Sequence, residues 1–214
     1  MNDKKDIMGI MKRVILIGAG GYFSAVVDSI KTSTEYEIVG VTDPVVKGLQ
    51  SGVKVIGDDS VLEKVYNDGV KYAFVTVGGV GDYTLRNRLI NLACDIGFSF
   101  VNVIDKTASI AENVTLGQMV YVGKNAAINP GVTVGDFSII NTAAVVEHGC
   151  KIGSYCHIAP AAALAGDITI ENHVHIGINA TLLQGISIGE GSIVGAGSTV
   201  LHNVLPGKKV YGVV

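Results

Sequence analysis

The apolar positions of this chain follow two rhythms. Over residues 12–100 they come in short runs between polar stretches. Val14-Ile15-Leu16-Ile17 is an apolar run of the kind that marks a strand buried on both faces. Gly18-Ala19-Gly20-Gly21 follows and opens a predicted helix over 23–31. Further strands are predicted over 37–41, which ends at Asp43-Pro44, over 53–56, and over 72–77, which is closed by Gly78-Gly79. Helices are predicted over 61–67 and 82–96, the latter with Leu85, Leu89 and Leu92 on one stripe. Strands alternating with helices imply a parallel, doubly wound Rossmann-like sheet.

From Ile104 through Val200 the rhythm becomes a strict six. Every sixth residue is Ile, Leu or Val, with no exception and no insertion. The position two before it is small or β-branched: Val114, Val120, Ala126, Val132, Ser138, Ala144, Ala162, Val174, Ala180. A helix repeats every 3.6 residues and a strand every 2, so neither explains a six. A triangular coil of three short faces does, with one aliphatic side chain pointing inward per face. Such repeats set the whole fold. The fold class expected is therefore α/β plus all-β: a Rossmann-like domain over 12–100 and a parallel β-helix over 101–214, after a leader over 1–11 before the Met11-Lys12-Arg13 start.

Charge narrows the partners. The chain is 16% charged with a net charge of −3. That is no electrostatic footprint for nucleic acid or an anionic membrane. No stretch approaches the roughly 20 apolar residues of a membrane helix, and the apolar segment 7–14 is broken by Arg13 with no signal-peptide cleavage site. Cys94, Cys150 and Cys156 form no CxxC pair. They read as small buried hydrophobes in a reducing cytoplasm, with a catalytic thiol as the lesser alternative.

Strand, glycine turn and helix together make a phosphate-binding geometry, because free backbone N–H groups face the ligand. The dinucleotide fingerprint G-x-G-x-x-G is incomplete, since Phe23 stands at the third glycine. The loop therefore suits the nucleotide part of a substrate better than a nicotinamide cofactor; its bland reading is a tight turn with no ligand. Asp43 falls at the carboxyl end of the second strand, where a ribose or base contact is usual. Its bland reading is a turn residue before Pro44.

His148 lies two residues after the aliphatic Val146, which predicts an outward corner position beside Glu147. An imidazole with a pKa of about 6.5 is largely in its base form at neutral pH. Acetyl transfer from a thioester needs such a base, because the attacking amine or hydroxyl loses a proton. An exposed histidine alone is more often solvent decoration. His157 and His175 share one slot on successive coils and predict a stacked ladder or part of an acyl-donor groove. His173-Val174-His175 invites a zinc reading, but the spacing departs from known zinc-binding coils, so no metal is expected.

These residues together resemble the bacterial sugar acetyltransferases that join a small Rossmann-like domain to a left-handed β-helix of hexapeptide repeats. That group includes sialic-acid O-acetyltransferases and nucleotide-linked 4-amino-sugar N-acetyltransferases. The likeness is carried by Ile15 to Gly21, Gly78 to Arg86, Phe100 to Ile104, Asn141 to Pro160 and Ile193-Val194-Gly195-Ala196-Gly197-Ser198. Its most specific part is the run from Asn141 to His148, followed by His157.

The resemblance implies the left hand of the coil, acetyl-coenzyme A as donor and a homotrimer with active sites between subunits. It also implies His148 as general base, oriented by Glu147. His157, Gly166, Ile178 and Ala196 would contact acetyl-CoA, and Gly20, Gly21, Tyr22, Asp43 and Gly78 the nucleotide-linked sugar. The reaction expected is N-acetylation of a nucleotide-linked 4-amino-4,6-dideoxy sugar in the cytoplasm. Alternatives are O-acetylation of sialic acid or another sugar, or a non-catalytic or metal-binding trimer on the same coil.

Three positions depart from the family pattern. Gly149 replaces the carboxylate that often follows the catalytic histidine, leaving Glu147 or a distant group to orient the ring. Tyr22 replaces a histidine, which puts the sugar contact there in question. The Pro-Ala-Lys that commonly follows a C-terminal Gly-Val is missing, which implies either a shortened chain or weaker donor binding.

Overall fold

A computed structural model describes residues 11–33, 35–79 and 81–214. The chain divides into two compact units, Met1–Val77 with Arg88–Ser99, and Gly78–Asn87 with Phe100–Val214. Segment 78–87 thus groups with the hexad repeats. The expected leader over 1–11 lies outside the described residues, apart from the exposed Met11.

The first unit is built on strands β1 (Lys12–Ile17), β2 (Tyr36–Thr42), β3 (Leu49–Gln50), β4 (Val53–Gly57), β5 (Tyr72–Val75) and β6 (Ser99–Phe100), in the sheet order β3-β4-β2-β1-β5-β6. β1, β2, β4 and β5 pair in parallel, and β3 folds back antiparallel onto β4. Val14, Ile15, Leu16 and Ile17 are all fully buried, as a continuous apolar run requires. Helix α1 (Gly21–Lys31) buries Phe23, Val26, Val27 and Ile30, the i, i+3, i+4, i+7 stripe of an amphipathic helix. α2 is only Leu62–Asn67, preceded by a 3-10 turn over Asp59–Val61. That turn starts where the Asp58 carboxylate accepts from the Ser60 N–H.

α3 (Thr84–Ile96) corrects one expectation. Leu85 is half exposed, and the buried stripe is Arg86, Leu89, Ile90 and Ala93. The stripe opens on an arginine, so apolar spacing alone places it one residue out of register.

The second unit contains the column. Two-residue strands form three parallel sheets of seven, six and five strands, in which each strand pairs with its counterpart on the next coil, as Val122 with Ile140 and Ile140 with Ile158. This is the left-handed β-helix of hexapeptide repeats. We call its faces first, second and third, starting from Val103–Ile104, Ser109–Ile110 and Thr115–Leu116. The sixfold aliphatic residues from Val122 to Val200 are buried in one shared core, with Ile110 and Leu116 partly buried against it. Ile104 is the exception, 40% exposed: it begins the ladder, where no earlier coil covers it.

The slot two before each aliphatic is also internal, and three of its polar members are satisfied in the same way. The Ser138 hydroxyl and the Cys150 and Cys156 thiols each donate to a carbonyl of the following coil, of Gly153, Ala165 and Glu171 respectively. A buried donor thereby finds an acceptor inside the column. Burial raises the Cys150 thiol and pushes Cys156 up to about 12, so both stay protonated and neither is a nucleophile.

A second periodicity is invisible in the amino-acid types. Every sixth residue from Met119 to Gly197 has a left-handed backbone, with φ between 51° and 77°. The slot holds Phe137, Tyr155, Asp167 and His173 as readily as Gly149 and Gly191. An isolated non-glycine residue there costs about 1–2 kcal/mol. Stacking offsets this, because the slot N–H donates to a carbonyl of the preceding coil: Phe137 to Gln118, Tyr155 to Asp136, Asp167 to His148. The slot lies at the corners, so whatever occupies it projects from the column.

Candidate active site

The corner after the second face carries His148. Its side chain is 58% exposed, as the sequence predicts. Room for the ring comes from Gly166, where a Cβ would lie 2.5 Å from the imidazole. Glu147 does not face the ring: its Oε2 accepts from the His148 backbone N–H at 3.4 Å. The carboxylate facing Nδ1 is that of Asp167, at 3.9 Å. This is an ion-pair distance rather than a hydrogen bond, and a single bridging water can span it. Asp167 stacks above His148 by donating its N–H to the His148 carbonyl at 2.8 Å. Gly149 makes the arrangement possible, since a Cβ there would stand 2.2 Å from Asp167 Oδ1. The space a side chain at 149 would fill is taken by a carboxylate from the next coil.

A second feature lies on the first face and the turn after it. A groove of about 320 Å³ is lined by His157, His175, Gly177, Ile178, Ile193 and Ala196, with their neighbours. Three of the four predicted donor residues, His157, Ile178 and Ala196, therefore share one cavity. Gly166 belongs instead beneath His148. The groove and His148 stand on opposite edges of the second face.

His157 and His175 pair in register, with ring centroids 5.0 Å apart in an edge-on contact. Asn141 fixes the tautomer of His157. Its Oδ1 accepts from the Thr142 N–H at 2.7 Å, which turns Nδ2 toward His157 Nε2 at 3.1 Å. Nε2 is then the acceptor, and the proton sits on Nδ1. That atom is buried and makes no hydrogen bond among the described residues, although the Gly79 backbone lies close enough to favour protonation slightly. Burial, the neighbouring His175 and the Arg86 guanidinium drive the His157 pKa down to about 4, and burial lowers His175 as well. Both rings are neutral N–H donors near pH 7.

This predicts a pH effect on stability. Between about pH 6.5 and 4 the unfolded chain binds protons that folded His157 refuses, so stability rises with pH there and is lost on acidification. His157→Gln is expected to flatten the fall in Tm over that window. An unchanged slope places the titrating group elsewhere.

His173 takes no part in a metal centre with His175. It sits in the corner slot, stacked on Tyr155 at 4.8 Å, while His175 lies on the first face. Among the described residues no group of three or more His, Cys, Asp or Glu is placed to hold a metal.

In the first unit, Gly18-Ala19-Gly20-Gly21 follows β1, which lies between β2 and β5, so the loop sits where the strand order reverses. Gly18 has φ 97°, and a Cβ on it would meet Val77 Cγ2 at 2.4 Å, so this position requires glycine. Gly20 and Gly21 are exposed with open space around them, and no side chain caps α1. The Gly20 and Gly21 N–H groups at its start remain available to an anion.

Asp43 braces this loop. Oδ2 accepts from the Ala19 N–H at 2.9 Å, while Oδ1 accepts from Val45 and Val46 at 2.9 and 2.8 Å. Burial pushes its pKa up, but the Val46, Ala19 and Val45 hydrogen bonds outweigh this and hold it below the usual range. Tyr22 is half-buried in the first turn of α1, and Gly78 is exposed after β5. Sequence reasoning missed Asp167, Asn141 and Arg86. Only the place of Asp167 about one coil beyond His148 hinted at the first, while Asn141 and Arg86 were marked only as ends of family-like segments, with no role of their own.

Residues 13–93 match the family model described as the PglD N-terminal domain, and residues 167–202 the one described as bacterial transferase hexapeptide (six repeats). A histidine-to-alanine mutant of GDP-perosamine N-acetyltransferase from Caulobacter crescentus, in complex with CoA and GDP-perosamine, is 36% identical. The match covers 93% of each chain, with a TM-score of 0.86. The acetyltransferase domain of PglB from Neisseria gonorrhoeae, in complex with acetyl coenzyme A, is 28% identical over 94% of this chain and 97% of that one, with a TM-score of 0.86. WeeI from Acinetobacter baumannii, 24% identical over 93% and 96% of the two chains, shares the fold at a TM-score of 0.77. No curated protein sequence matches the chain.

Proposed function

Because the chain belongs to the bacterial sugar acetyltransferases built on hexapeptide repeats, and so is an acetyltransferase that uses acetyl-coenzyme A, we propose that it acetylates the amino group of a nucleotide-linked 4-amino-4,6-dideoxy sugar. The observation that carries this reading is His148, an exposed imidazole with a carboxylate on its Nδ1 side. Relatives named for N-acetyl transfer to GDP-perosamine support an amine acceptor.

In this mechanism the acceptor amine attacks the thioester carbonyl carbon. The C–N bond forms as His148 Nε2 takes the amine proton. The tetrahedral intermediate collapses, the C–S bond breaks, and the proton passes from His148 to the departing sulfur. Asp167 faces the imidazolium during that interval, and Glu147 holds the main chain beneath it. His157, kept neutral, lines the acetyl-group pocket. Ile178 and Ala196 flank the pantetheine arm in the groove. The free amides at Gly20 and Gly21 take the acceptor's phosphates, with Asp43 shaping the loop through Ala19. Tyr22 and Gly78 flank the sugar nucleotide.

His148 and the groove stand on different edges of the column, so a second copy must bring them together. A homotrimer with sites between subunits provides this, the donor running from the groove of one chain to the Gly166–His148 corner of the next.

Asp167→Asn is expected to lower kcat about tenfold with little change in the KM for acetyl-CoA. Asp167→Glu should recover part of the loss, and Glu147→Gln should matter less. Equal losses in the two amide variants would give Glu147 the orienting role.

The reading as a whole is tested by following thiol release from acetyl-CoA with nucleotide-linked 4-amino sugars and, in parallel, with hydroxyl acceptors such as sialic acid. Release with hydroxyl acceptors alone overturns N-acetylation. Zinc binding without coenzyme A binding overturns the enzyme mechanism altogether.

A further inference from the structure

One corner of the column carries a stack of rings. Phe137, Tyr155 and His173 occupy its left-handed slot on three successive coils. Phe137 and Tyr155 lie 4.9 Å apart, centroid to centroid, and Tyr155 and His173 lie 4.8 Å apart and nearly parallel. The stack then stops, because the next position is Gly191. Its backbone keeps the same left-handed form, φ 68°, and the space where a Cβ would stand is open. A cavity of about 350 Å³ occupies that place, lined by His173, Gly191, Ile193 and the segment Gly81–Thr84 with Asn87. The Tyr83 ring forms a wall, edge-on to His173 at 6.1 Å.

Two polar atoms of the lining residues are left over. Tyr83 Oη and Asn87 Oδ1 are both buried and have no hydrogen-bond partner among the described residues. Burial first, and then Cys156, push the Tyr83 hydroxyl up to about 12 against the opposing effect of Arg86, so it remains a donor. Asn87 Oδ1 is an acceptor. The two residues are four apart, with the Asn87 N–H bonded to the Tyr83 carbonyl at 2.8 Å, which puts them on one side of the helix start. Both atoms are closed off from the cavity, so what a ligand meets there is the open slot at Gly191 and the end of the ring stack at His173.

We propose that this vacant rung binds a nucleobase, stacked on His173 in the place a ring at 191 would take. A base offers a flat face that continues such a stack. Ile193 lines both this cavity and the donor groove, so the base belongs to a molecule used at the same site. On the function proposed above, it comes from either the adenine of coenzyme A or the base of the acceptor nucleotide.

Calorimetric titration of the full chain with adenosine 3′,5′-bisphosphate, GDP, UDP and phosphopantetheine tests this without acetyl transfer. At least one nucleotide is expected to bind, and Gly191→Phe should weaken it about 10–100-fold. Phe137 holds a phenyl ring at φ 62° in the same slot, so the backbone accommodates the change. His173→Leu reads out the same stacking contact if that variant does not fold. Loss of adenosine bisphosphate binding assigns the slot to the donor; loss of GDP or UDP binding assigns it to the acceptor; phosphopantetheine should be unaffected. Nucleotide binding unchanged in Gly191→Phe and His173→Leu, or none in the parent chain, overturns the proposal. Slot-dependent binding by a chain with no transferase activity overturns the proposed function alone.

Discussion

His148→Ala is expected to lower the turnover of acetyl transfer by about 10²–10⁴-fold, the usual contribution of a positioned general base. The KM for acetyl-CoA should change little, because the ring lies outside the groove that holds three of the four predicted donor contacts. The thermal midpoint should hold as well, since most of the side chain is exposed and covers only a glycine. Thiol release measured over pH 5–9 checks both parts. Parent-like turnover in the variant would remove His148 from the chemistry. Gly166→Ala supplies an independent check: its new Cβ falls 2.5–3.1 Å from the imidazole atoms and displaces the ring while leaving it in the chain. An intermediate loss of kcat is expected.

Gly177→Ala is expected to be among the most damaging single methyl groups in the column, because it strikes both the coil stacking and the donor groove. Its Cβ would meet the Ala196 nitrogen at 2.5 Å, the Gly195 carbonyl carbon at 2.6 Å and the Val194 oxygen at 2.7 Å. All three are backbone atoms of the next coil, so no side chain can swing aside. The coils must part at a point where Gly177 N–H bonds Val194 O at 2.8 Å. Overpacking of this kind costs about 1–3 kcal/mol. Gly177 and Gly195 also line the donor groove, so the KM for acetyl-CoA should rise about tenfold or more. Urea unfolding and steady-state kinetics read the two effects separately. Gly185→Ala is the contrast: it sits in the left-handed slot with open space around it, and Ala143 and Ala161 already hold that slot. Similar losses in both variants would show that glycine content, rather than close coil approach, limits the column.

The column was legible because its signal is redundant: a sixfold aliphatic residue is repeated until chance is excluded. The β1 run was legible for a simpler reason, since burial on both faces leaves no polar residue to dilute it. Legibility failed where one side chain answers another across coils. Asp167 and His148 stand on neighbouring coils, and no periodicity of amino-acid type links an aspartate to a histidine across that step. Gly149 looked like a loss; it is the space that admits Asp167. The left-handed slot was hidden because it accepts Phe, Asp, His, Asn and Gly alike, so conformation recurs where chemistry does not. Leu85 was misplaced because the α3 stripe begins on Arg86, and Ile104 because a repeat pattern cannot show which of its members has nothing beneath it.

The exposed Ile104 has a consequence for how the molecule comes apart. Each coil touches only the one before and the one after it, so the column behaves as a linear array whose local opening energy depends on the number of neighbours. Amide protons in the first coil should exchange with deuterium soonest, and those around Ile140 to Ile176 last. The His148 corner falls inside that slow stretch, held in place by coils on either side.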